Sequence, residues 1–476
     1  MKRILLFLLA LLLGGTPHAD SRETAFYEVR GVTEKAEPAA ASEGGLRAVW
    51  LSQFDLQPLF RDGNRQRDEL AFDALCRTLC GTLARDGFNT VFLQMRPNGD
   101  SMYESRFYPL SKYVCGDYGE TIGYDAAGVL IARLRENGIS VHGWINPLRL
   151  MREDEMENVP ERFAIRRWYD AKSGQVKACG DYLYLDPAYP EVRELIADGA
   201  REMCERYGLD GIHMDDYFYP TTDPSFDEKE FSHSAFSDLG DFRRDNVSAL
   251  VSHLYDVAHE CGVRYGIAPA GNLDSLADGY FADVFLWLSK PGFVDYILPQ
   301  LYFGFENKYC PFDVMVSRWA DAIRCDGIDL YIGLTAAKAA MNAVDVFAGT
   351  DDGKTEWMRC RDVLARSLSC AAGEERVKGV CFFSYSWMYD RFSGEVTEGF
   401  REAYEAMKPF LSVTGENDSA NGIVCDPIRR RAADFAVLFD EIEGLEHVDH
   451  GIGLPGRKPA FFLQISGGKE PVELRQ

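Results

Sequence analysis

Two adjacent acids, Asp215 and Asp216, stand in the run YGLDGIHMDDYFYP at 207–220. Carboxyl groups suit acid–base chemistry, because one can donate a proton while another stays charged. Hydrolysis of a glycosidic bond needs two of them about 5–10 Å apart, facing each other across the bond. Side chains on a strand alternate faces, so His213 and Asp215 share one side and Met214 and Asp216 the other. Ile212 and Met214 are apolar and suit a helix-facing side. His213 and Asp215 are therefore expected to point inward, with Asp216 turned away to orient a neighbour or cap the loop. On this reading the second catalytic carboxylate comes from another segment. Glu306 is the first candidate, with Asp100 and Glu104 in reserve. The plainer alternative is that Asp215 and Asp216 only brace loops.

Three further clusters carry groups suited to sugar hydroxyls. In FLQMRPNGD (92–100), Gln94, Arg96 and Asn98 alternate along one face, followed by Asp100. Amide and guanidinium groups of this kind hydrogen-bond hydroxyls in planar arrays. In VHGWINPLR (141–149), His142, Trp144 and Asn146 share a face, and an indole can stack on a sugar ring. In PQLYFGFEN (299–307), Gln300 and Tyr302 precede Glu306, and Tyr217 follows the acid pair. His213 and Arg96 are expected to tune the carboxylates, with Trp144 and the tyrosines stacking on rings.

Other chemistries lose ground. No P-loop, GxSxG, HExxH or dinucleotide fingerprint stands at a strand–turn–helix junction. The formal net charge of −24 repels phosphate backbones and anionic headgroups, so neither nucleic acid nor a membrane surface is an expected partner. The 12 Cys are irregularly spaced without a CxxC, and no Cys/His spacing suggests zinc, so no metal or cofactor is expected and the thiols are expected to be mostly free.

These residues need a frame that brings separate segments to one place. Eight short apolar runs start near Leu46, Phe88, Ile139, Gly211, Val263, Val294, Leu330 and Val380. They are apolar almost throughout, as buried parallel strands are. Amphipathic patterns lie between several of them: Phe72, Leu75, Cys76, Leu79 and Leu83; Val192, Leu195, Ile196 and Met203; Val247, Leu250, Val251 and Leu254. Asp86-Gly87, Asn137-Gly138, Tyr207-Gly208 and Cys261-Gly262 mark helix ends. The pattern predicts an α/β fold, a (β/α)8 barrel over 45–411, in preference to an open doubly wound sheet, because polar and aromatic residues follow nearly every strand.

The flanks differ. Lys2 and Arg3 precede an apolar run from Ile4 to Leu13, followed by small residues. This predicts a signal peptide over 1–19 and a secreted or cell-envelope location, since the run is too short for an ordinary spanning helix. Residues 20–44 read as a linker. Residues 412–476 read as a small C-terminal extension of unknown role, with a helical pattern around Arg429–Leu445.

In matching order, LRAVWLSQFDLQ, NTVFLQMRPNGDSMYESRFYPLS, VHGWINPLR, YLDPAYPEVRELI, DGIHMDDYFYP, VDYILPQLYFGFEN and GVCFFSYS resemble the glycosyl hydrolase-like family 10 proteins. The resemblance spans roughly 46–410 and does not reach the tail. It implies a (β/α)8 barrel, export and glycan hydrolysis, with denuded peptidoglycan a substrate of some relatives. It marks Gln94, Arg96, Asn98, His142, Asn146, Asp215, Asp216 and Gln300 as site residues, without assigning acid and nucleophile. The expected activity is a secreted glycoside hydrolase acting on a polysaccharide, with peptidoglycan strands as one candidate. Its rival is a non-catalytic glycan-binding or wall-organising protein on the same scaffold.

Overall fold

The structure is a computed structural model that describes residues 45–411 apart from Tyr217. The expected signal peptide, linker and C-terminal extension, with its helical pattern, therefore lie outside the described residues. Eight parallel strands close into a barrel: β1 (Leu46–Leu51), β2 (Thr90–Arg96), β3 (Ser140–Ile145), β4 (Gly211–Met214), β5 (Arg264–Ile267), β6 (Tyr296–Ile297), β7 (Asp329–Thr335) and β8 (Val377–Phe383). Each pairs with its neighbour in sequence, and β1 closes the ring against both β2 and β8. All eight fall on the apolar runs of the sequence.

Alternation along each strand sorts side chains between two compartments. In β1, Val49 and Leu51 join the large core between barrel and helices, while Ala48 and Trp50 join the core inside the barrel. Phe92, Trp144, Tyr296, Tyr331 and Cys381 fill the same interior. Such large rings fit only because small residues face them: a Cβ on Gly266 would lie 2.1 Å from the Tyr296 ring. The barrel is thus a packed core beneath a cup, not a pore.

The outer helices follow the apolar spacing. Glu69–Arg85 is capped by Asp68 and buries Phe72, Cys76, Leu79, Cys80 and Leu83. Pro190–Tyr207 begins on Pro190, ends at the left-handed Gly208, and buries Val192, Leu195, Ile196 and Met203. Leu239–Glu260 buries Val247, Leu250, Val251 and Leu254. An insertion after β3 forms a three-stranded antiparallel sheet from Arg149–Arg152, Val176–Cys179 and Tyr182–Leu185, which the sequence pattern did not announce. No described helix is long and apolar enough to cross a membrane. The eleven cysteines among the described residues are free thiols.

Candidate functional site

The chain leaves β4 at Met214, so Asp215 and Asp216 stand just past the strand, at the end of the barrel where active sites of this architecture form. Asp215 is 4% exposed. Its Oδ2 accepts from Trp144 Nε1 at 3.1 Å and from Asn146 Nδ2 at 2.5 Å, both supplied by the end of β3. Asn146 is oriented in turn, since its Oδ1 accepts from Gln94 Nε2 at 2.7 Å, and Gln94 Oε1 accepts from the Gln53 backbone N–H at 2.7 Å. The ends of β1, β2, β3 and β4 thus form one hydrogen-bonded chain ending on a carboxylate. Two N–H donors aimed at one oxygen favour its charged form.

Asp216 does not obey the alternation expected for it. With the strand ended at Met214, its carboxyl is not committed to the helix-facing side that Met214 occupies, and it hydrogen-bonds the side chain of Gln300, at the end of β6. Gln300 is held by its own bond from Nε2 to the Ala268 carbonyl at 2.9 Å. Burial pushes the Asp216 carboxyl up to about 6. Tyr302 lies beside both acids: burial, then the neighbouring Cys381, Asp216 and Asp215, holds its hydroxyl well above the ordinary phenol range, so it stays a donor. Two adjacent carboxyls in different surroundings, one receiving two N–H donors and one that burial lets hold its proton up to about pH 6, are what acid–base catalysis requires.

Glu306 is placed elsewhere. Its Oε2 pairs with Arg359 at 2.5 Å on an exposed edge, and its backbone N–H donates to Glu356. An ion pair with its own arginine replaces the expected role opposite Asp215. Asp100 is wholly buried, accepts from the Asn98 N–H at 2.8 Å, and is pushed up to about 6 by burial. Its bond from the Asn98 N–H lies within its own loop. Asn98 is also buried. Glu104 is exposed, and its carbonyl accepts from Arg206.

Arg96 was expected beside Gln94. A register shift between Gln94 and Arg96 at the end of β2 turns its side chain out of the barrel. It donates to the Ile196 carbonyl at 3.1 Å and the Tyr108 hydroxyl at 2.6 Å, with its guanidinium 3.9 Å over the Tyr108 ring. Gly199, in the helix Pro190–Tyr207, makes this possible, because a Cβ there would lie 2.5 Å from Arg96 Nη1. Arg96 therefore ties the loop to a helix and tunes no carboxylate.

The two histidines lie one layer down. Trp50 Nε1 donates to His213 Nε2 at 3.1 Å, which puts the His213 proton on Nδ1, 3.2 Å from the Tyr296 hydroxyl oxygen. The Tyr296 O–H is then free to donate to His142 Nδ1 at 3.0 Å. Burial, with Arg264 adding to it, pushes His142 down to about 3, and burial holds His213 well below its ordinary value. Both rings are neutral and locked among Phe92, Tyr296 and Trp50. They form the floor of the site and do not tune Asp215. Trp144 also differs from expectation, since its indole edge is committed to Asp215 and the ring is 6% exposed. Tyr217 lies outside the described residues.

Sequence reasoning missed Trp50, Gln53 and Tyr296. Trp50 could have been found from its inward register with Ala48. The backbone role of Gln53 leaves no sequence signal. Among the described residues no group of acids, histidines or cysteines is arranged to hold a metal ion.

Comparison with known proteins finds relatives in sequence and a distant structural likeness. The chain is 30% identical over 331 residues to the glycosyl hydrolase YngK of Bacillus subtilis, covering 64% of this chain and 63% of that protein, so it spans less than two thirds of that relative. It is 31% identical over 324 residues to the glycosyl hydrolase DigH of Escherichia coli K12, covering 62% of this chain and 73% of the relative. Among solved structures, the glycoside hydrolase domain of PgaB (BpsB) from Bordetella bronchiseptica aligns over 78% of this chain and 99% of its own, at 14% identity and a TM-score of 0.49. The family model for glycosyl hydrolase-like 10 matches residues 45–347, more than half of the sequence and seven of its eight barrel strands, and the chain belongs to that family.

Proposed function

We propose that this chain is a glycoside hydrolase acting on a polysaccharide, with Asp216 as the general acid and Asp215 as the charged carboxylate. The observation that carries this is the difference between the neighbours: Asp215 receives two N–H donors, while Asp216 is raised to about 6. Asp216 protonates the leaving glycosidic oxygen, and Asp215 stabilises the positive charge that develops as the bond breaks. Gln300 positions Asp216, and Tyr302 donates toward the sugar.

The basic and apolar N-terminal pattern supports export, the names of the relatives, both glycosyl hydrolases, support action on a glycan, and the sequence resemblance makes peptidoglycan strands the leading candidate substrate. Reducing-end release from purified sacculi, with and without prior removal of stem peptides, and from a panel of neutral polysaccharides tests this. Release that is lost in a folded Asp215→Asn variant is the expected result. Binding without release from any glycan would instead assign the chain to non-catalytic glycan recognition.

A further inference from the structure

We infer that the nucleophile is supplied by the substrate, a 2-acetamido sugar whose amide carbonyl attacks the anomeric carbon while Asp215 holds the amide N–H and Asp216 serves as acid and base. This rests on the hydrolase reading above and names its substrate class. Asp215 and Asp216 are consecutive, so their Cα atoms are about 3.8 Å apart. Both rise from the end of one strand and both lie beside Tyr302. Direct displacement, whether by a carboxylate or by an activated water, needs a second group on the opposite side of the sugar. Four carboxylates of the other described loops have surroundings of their own. Asp55 accepts from Ser52, Ser384 and the Ser386 N–H, Asp345 pairs with Lys338, and Glu306 pairs with Arg359. Asp100 is fully buried. Two acids on the same side, one anchored by Trp144 and Asn146 and the other hydrogen-bonded to Gln300, match a reaction in which the substrate carries its own nucleophile.

The surroundings suit an amide. The N–H of a 2-acetamido group is a donor of the same kind as those Asp215 already takes from Trp144 and Asn146. Its methyl group needs apolar neighbours, and Trp144, Tyr302 and Phe383 supply them, the last two with ring centroids 6.1 Å apart. In the first step the bond from C1 to the leaving oxygen breaks, its electron pair goes to that oxygen, and Asp216 gives it a proton. The amide oxygen forms a bond to C1, and Asp215 takes up the positive charge shared onto the amide nitrogen. In the second step Asp216, now a carboxylate, removes a proton from water, whose oxygen bonds to C1 as the bond from C1 to the amide oxygen breaks, its electron pair returns to that oxygen and the amide is restored. One water is consumed, and the anomeric configuration is retained.

The test compares β-linked N-acetylhexosamine oligosaccharides with the same oligosaccharides after chemical N-deacetylation and with N-trifluoroacetyl versions. The expected result is retention by NMR, and a rate that falls by at least ~100-fold on deacetylation and on fluorination, the scale of losing one catalytic group. Asp215→Asn should lose far more on the acetamido substrate than it alters binding of the product. Hydrolysis of glycans without acetamido groups at comparable rates, or inversion, would overturn the inference while leaving the hydrolase reading intact. No release from either class would overturn both.

Discussion

The side-chain amide of Gln94 donates to the Asn146 carbonyl oxygen at 2.7 Å, and that bond fixes which end of Asn146 meets Asp215. An amide can present either oxygen or nitrogen. With its oxygen taken by Gln94, Asn146 must offer Nδ2 to the acid. Gln94 never touches Asp215, yet its identity decides whether Asp215 sees a donor.

It follows that Gln94→Glu reverses the relay. A carboxylate at 94 cannot donate to Asn146 Oδ1; it accepts from Asn146 Nδ2 instead, which turns the Asn146 oxygen toward Asp215. The expected result is a fall in kcat of roughly 10–100-fold, the usual scale for partners that orient a catalytic ligand, with KM little changed. Gln94→Asn, shorter but of the same polarity, should retain more activity than Gln94→Glu. Equal activity in all three proteins would remove the orienting role.

A second expectation separates Asp216 from Glu306. Glu306 is tied to Arg359 on an exposed edge, so Glu306→Gln should leave turnover near that of the parent and change stability by no more than about 1 kcal/mol. Asp216→Asn should lower kcat by about 10²–10⁴-fold. As the acid must carry its proton, kcat/KM should fall as pH rises through about 6, and that limb should vanish in Asp216→Asn. A profile flat from pH 5 to 8 would contradict the assignment.

Much of this was legible in the residues. The strands could be placed because buried parallel strands are apolar on both faces, and His142, Trp144 and His213 all take the inward register that alternation gives them. The inferences that failed did so where strand geometry stops. Asp216 lies two residues beyond the last residue of β4, where alternation no longer applies. Arg96 follows a register shift that a linear pattern does not reveal. Glu306 looked available because its partner, Arg359, lies 53 residues further along the chain.

A third prediction concerns Asp100. Burial raises its folded pKa to about 6 from an ordinary 3.8, and its Oδ2 is buried without a partner. Below about pH 4 both folded and unfolded states hold the proton, and no penalty exists. As pH rises from 4 through 6 the unfolded chain ionises first, so the unfolded state gains and stability falls, then levels off. A shift of this size is worth about 3 kcal/mol. Asp100→Asn keeps an oxygen for the Asn98 N–H and cannot ionise. Thermal melts of both proteins should show the variant gaining on the parent between pH 4 and 7. A gap independent of pH would show that Asp100 is not held protonated.

The last prediction tests what holds the segment after the catalytic pair. Arg243, in the helix Leu239–Glu260, and Asp227 are both fully buried and meet through bonds of 2.6, 2.9 and 3.1 Å. The same guanidinium donates to the carbonyls of Thr221 at 3.1 Å and Asp223 at 2.7 Å, so one side chain fastens the chain leaving Asp216 to an outer helix. Removing one partner of a buried pair strands the other charge, and Asp227→Ala should therefore cost about 3–5 kcal/mol in urea unfolding. The pair Asp227→Leu with Arg243→Met strands no charge and should recover part of that loss, while leaving the two carbonyls without a donor. Its turnover should then remain low although its stability is partly restored, because the segment that carries Asp216 onward is no longer fastened. Recovery of stability and turnover together would show that the ion pair serves the fold alone.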